Sequence, residues 1–186
     1  DLAVKHFPKN SIDFYTYYST GAHGVEPPQE VTEKLKQYDV VLLINTYSLT
    51  HTQARLAVCR QGGRVASCPN LDLYMMEEGG VMGADYPAIA AKCKKIAALL
   101  TQADTARIWT PDGTDVSFSI RGREGLCDDG FYTTPGSWGN LPGGEAYTSP
   151  VEGTAEGTVV VPAGWVMRDL LSPRLATRVK SRVLSV

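Results

Sequence analysis

Five consecutive aliphatic residues, Val40-Val41-Leu42-Leu43-Ile44, lie inside the run Asp39–Asn45 and constrain the fold more than any other feature of the chain. A strand that is apolar at both parities has no face to offer water. It is therefore expected to be covered on both sides, the pattern of a parallel sheet. The run is far too short for a bilayer span, which needs roughly 20 residues. Parallel strands require crossover connections, and helices are the usual ones. One helix is predicted after Pro27, with Pro28 as its first residue and Val31, Leu35 and Tyr38 on one side. A second is predicted from about Thr50 to Arg60, closed by Gly62-Gly63. It leads into a short strand, Arg64–Cys68, ended by Pro69.

The Phe- and Tyr-rich stretch Ile12–Ser19 suits a further strand. The longest helix is predicted over Asp85–Ala103, where Ile89, Cys93, Ile96, Ala97 and Leu100 fall at helical spacing and Lys92, Lys94 and Lys95 are left mainly for solvent. Thr105–Thr110 and Asp115–Ile120 read as two strands joined by the turn Pro111-Asp112-Gly113-Thr114. The expected class is α/β, an open, largely parallel sheet flanked by helices. From Arg121 to Gly144 the chain reads as loop, and Pro135–Gly144 alone holds four glycines and two prolines. Strands return at Thr158–Val161 and within Leu175–Val186. The division drawn from this is an α/β N-terminal domain over 1–138 and the start of a second, strand-rich domain over 139–186. The second segment is too short to build a core alone. With an apolar end at Arg182–Val186 and Asp1 as its first residue, the chain is expected to be a piece of a longer one.

Composition removes several function classes. With 43% hydrophobic and 20% charged residues the chain is ordinary globular protein, and a net charge of −2 leaves no footprint for nucleic acid or an anionic membrane. No secretory signal pattern opens the chain. Cys59, Cys68, Cys93 and Cys127 contain no Cys-x-x-Cys pair and are too sparse for a disulfide scaffold, so reduced, mostly buried thiols in a cytoplasmic protein are expected.

Two segments suggest chemistry. Ser48-Leu49-Thr50-His51-Thr52 follows the apolar strand, at the sheet end where ligands bind and helix N-termini carry free N–H groups. Thr50 is expected to cap the next helix, placing His51 in its first turn, where the dipole disfavours a protonated ring. Ser48, His51 and Thr52 are thus substrate-cleft candidates, with a plain Ser/Thr cap as the structural alternative. No positioned acid supports a Ser48–His51 nucleophile pair. The other segment, Asn140-Leu141-Pro142-Gly143-Gly144-Glu145, can hold one carboxylate beside a cleft in the way a divalent cation needs, with a solvent-exposed glycine turn as the structural alternative. Glu152 and Glu156 follow, on one face if the strand is regular. Cys127-Asp128-Asp129-Gly130 and Arg121-Gly122-Arg123 offer a metal and an anion reading respectively, against an ordinary turn and an ordinary basic loop.

Taken in order, Glu26-Pro27-Pro28, Ser48–Thr52 with Ala54-Arg55, Gly63–Ser67 with Pro69, Ala84-Asp85-Tyr86, Gly113-Thr114-Asp115, Asn140–Glu145 and Pro150–Gly153 resemble the aminopeptidase T family of metal-dependent leucyl aminopeptidases. The resemblance runs from about Gly24 to Val161. It implies two divalent ions, zinc, cobalt or similar, that activate water against a peptide bond. Glu145 matches the family's first metal-binding glutamate. The other ligands would lie beyond Val186, and His6, His23 and His51 match none of them. His51 and Glu152 resemble recurring family positions without an assigned role, and no catalytic base is named. The implied parent is a metallo-aminopeptidase that acts on peptides as a homodimer, with this piece inactive alone. Two alternatives stand beside it. One is an Fe(II)-dependent dihydroxypyridine ring-cleaving dioxygenase on the same scaffold, using a carboxylate and two histidines. The other is a non-catalytic binding domain.

Overall fold

The computed structural model describes residues 12–161 together with three later strand segments. In chain order the helices are α1 (Gln29–Leu35), α2 (Gln53–Arg60), α3 (Leu73–Met76) and α4 (Tyr86–Gln102), with a 3-10 turn at Val81–Gly83. The strands are β1 (Val40–Leu43), β2 (Arg64–Ser67), β3 (Thr105–Trp109), β4 (Asp115–Ser119), β5 (Leu126–Asp128), β6 (Trp138–Asn140), β7 (Glu145–Tyr147), β8 (Glu156–Val161), β9 (Val166–Met167), β10 (Leu170–Leu171) and β11 (Leu175–Lys180). They fall into two compact units interleaved in sequence. The first holds the chain up to Ala84 and then Tyr132–Pro142, and the second holds Asp85–Phe131 and the chain from Gly143 onward.

The first unit is built on a three-stranded parallel sheet in the order β1-β2-β6, with Val41 beside Val65 and Val65 beside Trp138. Val41, Leu43, Leu49, Val58 and Val65 form its buried core, and Leu35, Tyr38 and Trp138 pack against them. Full burial of each such aliphatic side chain is worth about 1.5–3 kcal/mol relative to exposure. Leu35 of α1 and Val58 of α2 lie on the same side as Val41 and Leu43. The other parity of the strand, Val40, Leu42 and Ile44, is 50–59% exposed. The expectation of cover on both faces is therefore corrected, because among the described residues both helices sit on one face. Ile12–Ser19 joins no strand ladder either. It carries no regular secondary structure and is tied by the Tyr17 hydroxyl, which accepts from Asn45 Nδ2 at 2.9 Å.

Helix α2 starts at Gln53, later than expected, because the capping residue is Thr52 and not Thr50. The Thr52 hydroxyl accepts from Arg55 N at 3.2 Å and donates to the Leu49 carbonyl at 2.7 Å. The Gly62-Gly63 stop forms as expected, with Gly62 at φ +88°. At Gly63 a Cβ would lie 2.6 Å from Val58 Cγ1. Pro28 is the N-cap of α1 rather than its first residue.

In the second unit α4 is capped by Asp85, whose carboxylate accepts from Ala88 N at 3.0 Å. The helix buries Ala90, Cys93 and Ala97 and packs on the antiparallel pair β5–β7, while Ile96 is exposed. The β3–β4 hairpin forms as the turn chemistry predicted. It does not extend the parallel sheet. It belongs to a separate antiparallel sheet in the order β11-β8-β4-β3. The coarse α/β class holds, and the open, largely parallel sheet is corrected to three parallel strands in the first unit and antiparallel strands in the second. Strands β5 and β6 lie in the stretch read as loop, since three residues are too few for alternation to show. Leu175–Lys180 is a strand, and residues 181–186 and His6 lie outside the described residues. Among the described residues no helix is long and apolar enough to cross a membrane.

Thr52→Ala removes a cap and leaves Arg55 N without its acceptor, so it is expected to cost about 1–2 kcal/mol in urea unfolding followed by circular dichroism. Gly157, at φ +138°, admits no side chain, because a Cβ would lie 2.1 Å from the Asp115 carbonyl oxygen, whereas Gly153, at φ +76°, faces open space. Gly157→Ala is expected to cost more than about 2 kcal/mol and Gly153→Ala about 1 kcal/mol, measured side by side in thermal unfolding.

Candidate functional site at the strand ends of the first unit

The C-terminal ends of β1, β2 and β6 bring together residues far apart in sequence. Ser48 Oγ lies 2.7 Å from Thr50 Oγ1 and 3.4 Å from Ser67 Oγ. Thr50 Oγ1 donates to Asn140 Oδ1 at 3.1 Å, and Tyr132 donates its hydroxyl to the Asn140 carbonyl at 2.6 Å. Thr50 and Ser67 are buried. This network satisfies polar groups that would otherwise be costly inside the protein, and it sets the conformation of the strand-end loop. His23 holds the loop from outside, its Nδ1 accepting from Ser48 N at 3.0 Å.

The N–H groups opening α2 are not free for a ligand, as the sequence had suggested. The two oxygens of Glu26 accept from Gln53 N at 2.6 Å and Ala54 N at 3.1 Å, and Thr52 takes the next N–H. Glu26 thus acts as a carboxylate cap at the positive end of the helix. His51 precedes the cap and does not sit in the first turn. Its exposed ring meets Trp138 edge-on, with centroids 6.1 Å apart. Over the face of the same indole lies the guanidinium of Arg55, its carbon 3.9 Å from the ring centroid. Arg55 Nε donates to the Thr50 carbonyl at 2.8 Å. Of the cleft candidates, Ser48, His51 and Thr52 therefore share one loop. Thr52 is committed to the helix, and Ser48 to its hydroxyl neighbours. Glu26, Arg55, Ser67, Trp138 and Asn140 complete the arrangement. In the sequence Asn140 stands out only as part of the glutamate's approach, and Glu26 and Arg55 only within the family motifs.

Glu145 and Glu152 belong to the second unit. Glu145 is exposed at the start of β7, opposite the buried Asp128 of β5. Burial, then the charges of Asp128 and Glu145, push the Tyr147 phenol up. Glu152 stands in a turn, not in a strand, so the face shared with Glu156 is not formed. A backbone hydrogen bond and then Arg123, which pairs with it, hold the Glu152 carboxyl low. Arg121 pairs with Asp104 at 3.0 Å, which leaves the Arg121-Gly122-Arg123 loop with both guanidinium groups paired. Asp129 meets Lys94 at 3.3 Å. Burial pushes the Cys127 thiol up to about 11, with Asp129 and Cys93 adding to it. Such a thiol is a poor nucleophile near neutral pH. Among the described residues no group of three or more His, Cys, Asp or Glu side chains is placed to hold a metal ion. Those residues do not fit a complete metal centre.

Comparison with known proteins overturns the peptidase reading. The family model described as NicX: 2,5-dihydroxypyridine 5,6-dioxygenase matches residues 3–183. The 2,5-dihydroxypyridine 5,6-dioxygenase of Pseudomonas putida (strain KT2440) is 27% identical over 134 residues, which is 71% of this chain and 35% of that protein. A solved structure of the dihydroxypyridine dioxygenase from the same organism aligns with TM-score 0.64 and 18% identity, over 92% of this chain and 50% of that one. That likeness is one of fold, and the chain spans between a third and a half of these relatives. The aminopeptidase T assignment, with its hydrolase chemistry and peptide substrate, is thereby corrected. The motifs behind it are, in this structure, largely a cap (Thr52), a helix stop (Gly62-Gly63) and strand-end hydrogen bonds (Ser48, Asn140), which specify a scaffold and not a reaction. The chain belongs to the NicX family of 2,5-dihydroxypyridine 5,6-dioxygenases.

Proposed function

We propose that this chain is part of an oxygenase that opens the ring of a dihydroxylated pyridine. The family match over residues 3–183 carries the reading. A divalent metal ion, ferrous iron in the first instance, is proposed as the cofactor, and such an ion would activate dioxygen and the ring toward each other. The described residues supply no complete ligand set for it.

The chain's own contribution is proposed to come from two places. In the first unit the strand-end loop holds His51 exposed against Trp138, in a position to exchange a proton with a bound ring. The network of Ser48, Thr50, Ser67 and Asn140 fixes the backbone that presents it. In the second unit Glu145 offers an exposed carboxylate at the start of β7, proposed to act toward the metal or its bound ligand. Glu152 is proposed as no more than a partner of Arg123.

Expressed in its full natural reading frame, loaded with ferrous iron under anaerobic conditions and given 2,5-dihydroxypyridine, the protein is expected to consume dioxygen as the ring absorbance disappears. Leucyl anilides are expected to remain intact. No oxygen uptake by folded, iron-loaded protein would refute the reading. His51→Ala is expected to lower kcat/KM by roughly 100-fold or more while leaving the melting temperature unchanged, because the ring makes only an edge contact.

A further inference from the structure

Arg55 is held firmly and left largely unanswered. Its Nε is engaged by the Thr50 carbonyl, and its guanidinium sits over the Trp138 ring. Four of the five N–H donors of a guanidinium are on its two terminal nitrogens. At Arg55 none of these four meets a carboxylate or carbonyl among the described residues. Arg107, Arg121 and Arg123 close on Asp115, Asp104 and Glu152; Arg60 and Arg64 meet no carboxylate among the described residues, but neither is fixed by a carbonyl and an indole face as Arg55 is. The nearby carboxylate of Glu26 is already taken by Gln53 N and Ala54 N. Arg55 is half-buried, so part of its solvation is lost without an anion to replace it. Its remaining donors form a planar fork, the geometry that receives both oxygens of one carboxylate.

We propose that Arg55 is the receptor for a planar carboxylate, and that this carboxylate is the one created when the pyridine ring opens. The site rests on the geometry above, while the identity of its ligand rests on the ring-cleaving reading. Scission between the hydroxyl-bearing C5 and C6 with both atoms of dioxygen makes C5 a carboxylic acid, from its own oxygen and one of the two. C6 takes the other oxygen and becomes an N-formyl group. The product therefore carries one carboxylate that the substrate lacks, on a short, flat, cis-unsaturated amide. Trp138 supplies a rigid platform beneath the guanidinium, and His51 touches the edge of the same platform. Arg55 is in this sense a specificity residue for product over substrate.

The probe is sodium maleamate, a cis-unsaturated amide carboxylate, titrated calorimetrically without metal into the protein expressed in its full natural reading frame. Saturable binding is expected, with neutral maleamide bound at least about tenfold more weakly. Arg55→Gln is expected to weaken maleamate about tenfold. Arg55→Lys, which keeps the charge and loses the fork, is expected to fall between the two. No saturable binding overturns the proposal, and so does equal binding of maleamate and maleamide by the unsubstituted chain, a comparison that does not depend on any variant folding. Unchanged affinity in a folded Arg55→Gln chain overturns it as well. The two readings separate cleanly. Arg55-dependent maleamate binding in a protein that consumes no oxygen leaves the anion site standing and removes its assignment to a ring-cleavage product. Oxygen uptake whose inhibition by maleamate is unaltered in Arg55→Gln sinks the receptor and leaves the oxygenase.

Discussion

The hydrogen bond from Thr50 to Asn140 spans 90 positions of sequence and is the contact on which the strand-end site depends. It closes β6 onto the end of the sheet begun by β1 and β2, after the chain has left the first unit and returned. Because Thr50 is buried, its hydroxyl must have a partner, and Asn140 together with Ser48 supplies one. The same turn presents the Thr50 carbonyl to Arg55. One buried hydroxyl thus determines where a loop, a returning strand and a cation come to rest.

Elements of both units are legible where their signals are local. The apolar run marks β1 and the glycine pair the end of α2 in the first unit, and turn residues mark the β3–β4 hairpin in the second. Less legible were features made by partners distant in sequence. Glu26 sits 27 positions before the amide it caps, and the Arg55–Trp138 contact joins residues 83 apart. Three-residue strands such as β6 carry no periodicity at all. The cover of β1 is not legible for a related reason: an aliphatic run reports that a strand tolerates burial on both faces, and here Val40, Leu42 and Ile44 remain largely open.

The peptidase reading failed at a different level. Ser48–Thr52 and Asn140–Glu145 were read as pieces of a reaction centre, yet in the structure most of their side chains cap a helix, tie strand ends or turn the chain. Such devices travel with a scaffold through changes of chemistry. Glu145 and His51 are the exposed ionisable members of the two motifs.

Glu26 has a consequence beyond the helix it caps. Its two oxygens lie on consecutive amides at the positive end of α2 and offset the partial charge gathered there. With that field quenched, and with an overall charge of −2, the neighbourhood exerts little pull on anions at a distance. Discrimination among small anions is then left to contact range, by shape and by the pairing of donor with acceptor, with electrostatic steering in a minor part.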